Sequence, residues 1–336
     1  MKYISTLREG ERINEIFLCK SKQTAMTKSG KPYDNVILQD KTGTLDAKIW
    51  DVGSVGIEEF DAMDYIAITG DITSFQGNLQ CSIKRAREVY GEVTSFQGAL
   101  QVNVKRIRKC QEDEFDPADY LPVSKYPIEG MYQELLGYIN KVENKYLKEL
   151  LNSFFVEDTE FINAFKKSSA AKTVHHGFVG GLLEHTLGVT KNCDYFAKMY
   201  PVLNRDLLLT AAIFHDIGKL KELSTFPEND YTDAGQLLGH IMIGAEWVGD
   251  AIKSIDGFPV VLANELKHCI LAHHGELEFG SPKKPALVEA LALSFADNID
   301  AKMETFRELL VNVPENDTKW QGYNRFMETN FRRTSV

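Results

Sequence analysis

Histidine is missing from the first 174 residues of this 336-residue chain, and all eight histidines stand between His175 and His274. Imidazole chemistry is therefore excluded from the front half, and the two halves must do different things. Cysteine is sparse. The five residues Cys19, Cys81, Cys110, Cys193 and Cys269 form no CxxC pair. That excludes a disulfide framework and a zinc ribbon, and suits free thiols in a reducing compartment. No stretch approaches the ~20 apolar residues of a membrane span. The N-terminal MKYISTLREGERINE has no apolar signal core. The expectation is a cytoplasmic protein with no membrane partner. Positive charge is also short, with 38 basic against 48 acidic side chains and a net charge of −10. Nucleic-acid binding through bulk charge is excluded, because such proteins are basic. The deficit is uneven: residues 1–110 hold 16 basic and 14 acidic side chains, the remainder 22 and 34. A polyanion is better placed on the front third.

Residues 1–110 read as β structure. Short alternating runs at Ile13–Lys20, Asn35–Asp40, Thr44–Trp50 and Tyr65–Asp71 are broken by polar and Gly-containing turns. A short helix is expected over Ser54–Phe60. Strands in this order, with a helix between the third and fourth, predict a small antiparallel barrel of the OB type. An internal repeat follows: TSFQGNLQCSIKR at 73–85 returns as TSFQGALQVNVKR at 94–106. Each copy is a Gly-centred turn and an alternating strand. One copy completes the barrel and the other adds a hairpin. Residues 111–127 are acidic, carry three prolines and read as a linker. From 128 to 336 helical periodicity dominates, with helices expected at Met131–Phe155, Leu182–Met199, Arg205–Ile217, Leu238–Ser254, Val260–Ala272 and Pro285–Leu310. The predicted fold is a β-barrel followed by an all-α domain.

The chemistry concentrates around RDLLLTAAIFHDIGK, an apolar helix ending in His215 and Asp216. Burying that pair without partners is costly, and a divalent metal resolves the cost, because imidazole and carboxylate are its usual ligands. Further candidates lie on separate helices: His185, His240, His273, His274 and Asp297. Lys219, one turn beyond Asp216, and Lys283 and Lys284 can steady phosphate oxygens. His176 is a candidate for substrate contact.

The order H, HD, two further histidine positions and D resembles the HD phosphohydrolase superfamily over about residues 170–310. The extra histidines resemble its two-metal branch. That resemblance implies one ion held by His185, His215, Asp216 and Asp297. The second is implied at Asp216, His240 and His273, with His274 as another candidate. HHGELEFGSPKKP resembles the HHE…GYP loop of cyclic-dinucleotide phosphodiesterases but carries Ser281 at the tyrosine position. Nearly the whole chain resembles the YhaM family of 3′→5′ exoribonucleases. The matching residues include Lys31-Pro-Tyr33, Ala47-Lys-Ile-Trp50, His215-Asp216, Gly239-His240, His273-His274-Gly275 and Asp297-Asn-Ile-Asp-Ala-Lys302. The resemblance implies manganese or a similar ion (cobalt, iron or nickel) and single-stranded RNA or DNA shortened from its 3′ end. The competing expectation is a small-nucleotide hydrolase in which the OB-fold regulates.

In the barrel, Tyr33 and Trp50 are candidates for base stacking, and Trp50 shares a strand face with Lys48. Lys84, Lys105 and Arg106 belong to a basic cluster suited to phosphates or to a solvated edge. Apolar helix faces are compatible with a homo-oligomer.

Overall fold

The computed structural model describes residues 2–335 apart from 28, 51, 76–77, 84–99, 112–113, 116–118, 173–175, 312 and 326, with backbone alone over the rest of 74–83 and at 100–105. The chain divides into two compact units, Met1–Pro122 and Val123–Val336.

In the first unit, alternation of apolar and polar residues produces strands with one buried face. These are β1 (Arg12–Met26), β2 (Pro32–Asp40), β3 (Gly43–Ile49), β4 (Tyr65–Phe75), β5 (Asn78–Ile83) and β6 (Leu100–Lys109). β1 is long enough to serve two neighbours. Its first half pairs with β4 and its second half with β2, and a register shift between Cys19 and Ser21 bends it from one to the other. β2 and β3 are antiparallel. The tight turn between them is closed by Asp40, whose carboxylate accepts from the backbone N–H of Thr42 at 2.7 Å and of Ile4 at 2.6 Å. β3 runs parallel to β5 and β6, both of which run antiparallel to β4. With β4 returning to β1, the pairings follow a barrel-like circuit of the OB type. Phe17, Val36, Leu38, Leu45, Ala47, Ile49, Ile66 and Ile68 fill its inside.

Two details depart from the sequence pattern. The stretch 54–60 is a series of turns and not a helix, bridged to the sheet at Ile57–Ile107. Gly56 sits at φ +110°, which a continuing helix does not allow. Described residues of the acidic segment from 111 are tied down, the last of them Leu121. Tyr120 and Leu121 are buried, Phe115 stacks on Tyr65 at 3.8 Å, and Asp119 accepts from Tyr3 and Lys41. Its aromatic residues bury where its acidic residues alone would have kept it in solvent. Both repeat copies supply strands, and Leu79 and Leu100, equivalent residues of the two, pair with Ser74. Lys84 lies outside the described residues, as does the side chain of Lys105.

The second unit is helical apart from a two-residue hairpin, β7 (Tyr323–Asn324) with β8 (Thr329–Asn330). Its helices are α1 (Ile128–Asn140), α2 (Lys145–Asn152), α3 (Thr159–Lys167), α4 (Gly181–Met199), α5 (Arg205–Phe214), α6 (Lys219–Glu222), α7 (Asp233–Lys253), α8 (Val260–Leu271) and α9 (Val288–Val311). The single helix expected over Met131–Phe155 breaks because Asn144 accepts from the N–H groups of Tyr146 and Leu147 and starts α2 anew. α5 is the axis of the unit. It carries no charge from Leu207 to Phe214 and every one of those residues is buried, as an all-apolar helix requires. α4, α8 and α9 pack around it.

Candidate metal centre

The buried axis α5 delivers His215 and Asp216 from its C-terminal end into the middle of the helical unit. Both are essentially solvent-free. The Asp216 carboxylate has two differently furnished sides. Its Oδ2 lies 3.4 Å from His185 Nε2 and 3.4 Å from His215 Nε2, and His185 Nε2 is 3.2 Å from Asp297 Oδ1. Its Oδ1 lies 3.4 Å from His240 Nε2 and 3.6 Å from His273 Nε2. His240, His273 and His274 form a group whose ligand atoms all lie within 4.8 Å of one another, as do His185, His215 and Asp216. One carboxylate thus faces two clusters of imidazoles.

The tautomers are set by the other ring nitrogen. A carbonyl oxygen can only accept, so its histidine partner must donate. His215 Nδ1–H donates to Ala212 O at 2.7 Å, His273 Nδ1–H to Ile270 O at 2.7 Å, and His274 Nδ1–H to Phe279 O at 2.8 Å. His185 Nδ1–H donates to Asp300 at 2.8 Å, and His240 Nδ1–H to Glu222 at 2.9 Å. The rings of His215, His240, His273 and His274 therefore present an Nε2 lone pair inward, the arrangement that carboxylates and carbonyls impose on metal-binding histidines, while His185 turns its Nε2 toward Asp216 and Asp297, where an ion would replace its proton. Asp216 Oδ1, His240 Nε2 and His273 Nε2 are buried without any hydrogen-bond partner. Three convergent acceptors with no donor are costly unless a cation satisfies them. These residues fit divalent ions on both sides of Asp216.

The electrostatics agree. Burial opposes ionisation of Asp216, but the Lys219 ammonium, 2.6 Å from Oδ2, and His215 outweigh it and hold the carboxyl well below the usual range. Burial likewise opposes the charge on Asp297, and His185, His215 and His273 overcome it. Burial pushes the imidazoles of His273 and His274 down, which keeps them neutral. Burial opposes charge on His185 too, yet Asp216, Asp297 and Asp300 raise it well above the ordinary histidine value.

Local structure explains how the chain reaches this geometry. Gly239, at φ +72°, breaks α7 one residue before His240. The Glu222 carboxylate then accepts from both the backbone N–H and the ring Nδ1–H of His240, at 3.0 and 2.9 Å. α4 crosses α9 so closely that a Cβ at Gly188 would lie 2.0 Å from Asp300 Oδ1. That approach aims Asp300 at His185.

The structure brings His185, His215, Asp216, His240, His273, His274 and Asp297 together. A cavity of about 340 Å³ opens beside His273, His274 and Asp297, and Asn298 and Lys302 line it. Neither Lys283 nor Lys284 lines this cavity; both are exposed, and Lys284 pairs with Glu276 at 2.5 Å. Lys219 is occupied with Asp216. His176 is buried at 3% exposure, behind His185, with Nε2 3.0 Å from Asp300. Ser281 turns inward and donates to Leu271 O at 3.0 Å. Glu222, Asp300 and Lys302 have roles here that the sequence does not assign to them. The DNIDAK spacing, which puts Asp300 and Lys302 on the helix that carries Asp297, was the available signal. Nothing in the sequence marks Glu222 as the partner of a histidine 18 residues away.

On the sheet unit, Tyr33 stacks on Trp50 with centroids 4.8 Å apart, and Lys48 lies over the Tyr33 ring and donates to Asn35. Trp50 is 37% exposed. In the basic cluster, Arg108 is bound by Glu114 and Lys109 by Asp64, while exposed Arg106 lines a cleft with Asn14 and Thr69.

Residues 182–302 match the family model of the HD domain. The match spans every residue facing Asp216, and it assigns this unit the chemistry of a metal-dependent phosphohydrolase. Among the described residues no helix is long and apolar enough to cross a membrane.

Proposed function

We propose that this protein is a 3′→5′ exoribonuclease that hydrolyses single-stranded RNA, and single-stranded DNA as a second substrate, with the sheet unit gripping the strand. The chemistry rests on one observation, the Asp216 carboxylate placed between two sets of inward Nε2 atoms. The substrate class rests on the outward Tyr33–Trp50 pair beside Lys48, which offers base stacking and a cation on one face of the sheet.

His185, His215, Asp216 and Asp297 would hold one ion, and Asp216, His240 and His273 the other, with His274 beside it. Bound there, such ions (manganese first, then cobalt, iron or nickel) would supply activation of water and neutralisation of charge on the phosphate. The chain's own groups prepare that centre. Lys219 keeps Asp216 ionised, Asp300 and Glu222 fix the ring orientation of His185 and His240, and Lys302 offers the cavity a cation for an incoming phosphate. Among the described residues no serine or cysteine lies among the ligands around Asp216. The inward hydroxyl of Ser281 leaves the loop without the tyrosine of the cyclic-dinucleotide enzymes.

The test is a denaturing-gel time course on 5′-labelled single-stranded RNA with manganese, beside Asp216→Ala. A ladder of progressively shorter labelled fragments, absent in the variant, supports the reading. An uncut strand together with hydrolysis of a cyclic dinucleotide would overturn it in favour of a small-nucleotide enzyme.

A further inference from the structure

Behind the centre just described lies a second group of metal-type ligands with no part in it. His176, Glu184 on α4 and Glu304 on α9 each offer a ligand atom within 4.8 Å of the others. They line a cavity of about 780 Å³, together with Asp300 and Arg307. We propose that His176, Glu184 and Glu304 bind a further divalent cation, separate from the ions at Asp216.

The geometry around His176 carries the argument. Its Nε2 lies 3.0 Å from Asp300 Oδ2. That contact engages Nε2 and leaves Nδ1 as the ring's other nitrogen. That Nδ1 is buried and has no hydrogen-bond partner. With Nε2 engaged by Asp300, Nδ1 is the nitrogen available to Glu184 and Glu304. A bare buried acceptor beside two carboxylates calls for a cation.

The charge balance points the same way. Glu184, Glu304 and Asp300 are three carboxylates in one buried neighbourhood, and Arg307 is the cation set among them. Arg307 binds Glu184 at 3.0 Å and Glu304 at 2.5 Å. Ser124 donates to the other oxygen of Glu184 at 2.6 Å. These bonds orient the carboxylates and leave each oxygen a further lone pair. One imidazole nitrogen with two carboxylates suits manganese, iron or zinc and lacks the thiolates that would select copper(I).

The placement gives such an ion a connection to the catalytic side. Asp300 Oδ2 accepts from His176 and, at 2.8 Å, from His185 Nδ1–H. A cation on Nδ1 stabilises the same tautomer of His176 that donates to Asp300. His176 and its ion thereby act as positioning groups for His185 and do not touch substrate.

The test is a count of bound Mn2+ on the full chain, stripped with chelator and then titrated with the metal alone, by native mass spectrometry. The wild type should carry three ions, and Glu304→Gln and Glu184→Gln should each carry two, with the second chain serving if the first does not fold. Asp216→Ala should keep an ion that Asp216→Ala/Glu304→Gln loses. An unchanged count in the carboxylate variants, or no ion left on Asp216→Ala, would overturn the proposal. Because no substrate enters the measurement, the result stands apart from the nuclease assay.

Discussion

The two units place their chemically capable side chains on opposite sides of their surfaces. In the helical unit His185, His215, Asp216 and His273 are inside, with almost no solvent contact. In the sheet unit Tyr33, Lys48 and Trp50 are outside, on the face opposite Leu45, Ala47 and Ile49. A buried polar group must find a partner, so its neighbours are strongly constrained. A partly exposed aromatic pair can serve a ligand or simply cover its own sheet. The first arrangement specifies a reaction centre; the second offers a surface whose use depends on what binds.

The sharpest way to break this contrast is at Asp216. Asp216→Ala removes the group facing both imidazole sets, and should lower phosphodiester hydrolysis by about 10³-fold or more, read as initial rate on an activated phosphodiester. Next come the groups that orient ligands without binding metal. Glu222→Gln frees His240 Nδ1–H from its carboxylate, and Gly188→Ala drives a Cβ into Asp300. Each should weaken metal affinity by about 10–100-fold, measured by manganese titration. An effect no larger than that of a surface substitution would show that the hydrogen bonds are incidental.

On the sheet unit, Trp50→Ala should weaken single-strand binding by about tenfold, as loss of one stacked base of ~1–3 kcal/mol requires, with the rate on a small phosphodiester unchanged. A loss on both substrates would erase the distinction between the units. The smallest effect concerns stability. Asp194 on α4 is bound by Arg205 of α5 at 2.6 Å and by Lys198 at 2.6 Å. Burial opposes its charge, but these two cations hold its carboxyl below the usual range. Its contribution is therefore present above the unfolded carboxylate value and is lost as pH falls through the lower folded value. Asp194→Asn should cost about 2 kcal/mol at neutral pH and nothing once the wild-type carboxyl is protonated, read from denaturant midpoints against pH.

The same contrast explains what the sequence made legible. His215 and Asp216 announce themselves because two polar residues close an otherwise apolar helix. The remaining ligands follow from their position among apolar helical residues. The sheet alternation at Leu45, Ala47 and Ile49 likewise predicts its buried face. Glu222 was not legible, because its role depends on α6 and α7 folding back on each other and on the break at Gly239. Asp300 sits one turn beyond Asp297 and reads equally as a surface charge until α4 crosses at Gly188. His176 sits at φ +61° in a loop whose conformation no periodicity predicts. The interruption of Met131–Phe155 had a signal in the capping residue Asn144, which helical periodicity alone overrides.

Asp216 would be the ligand common to both proposed ion sites. Anomalous diffraction at the manganese edge from crystals soaked in Mn2+ tests it directly. The account predicts two peaks flanking Asp216, one within ligand distance of His185, His215 and Asp297 and the other of His240 and His273. A single peak, or two that do not share Asp216, would contradict it.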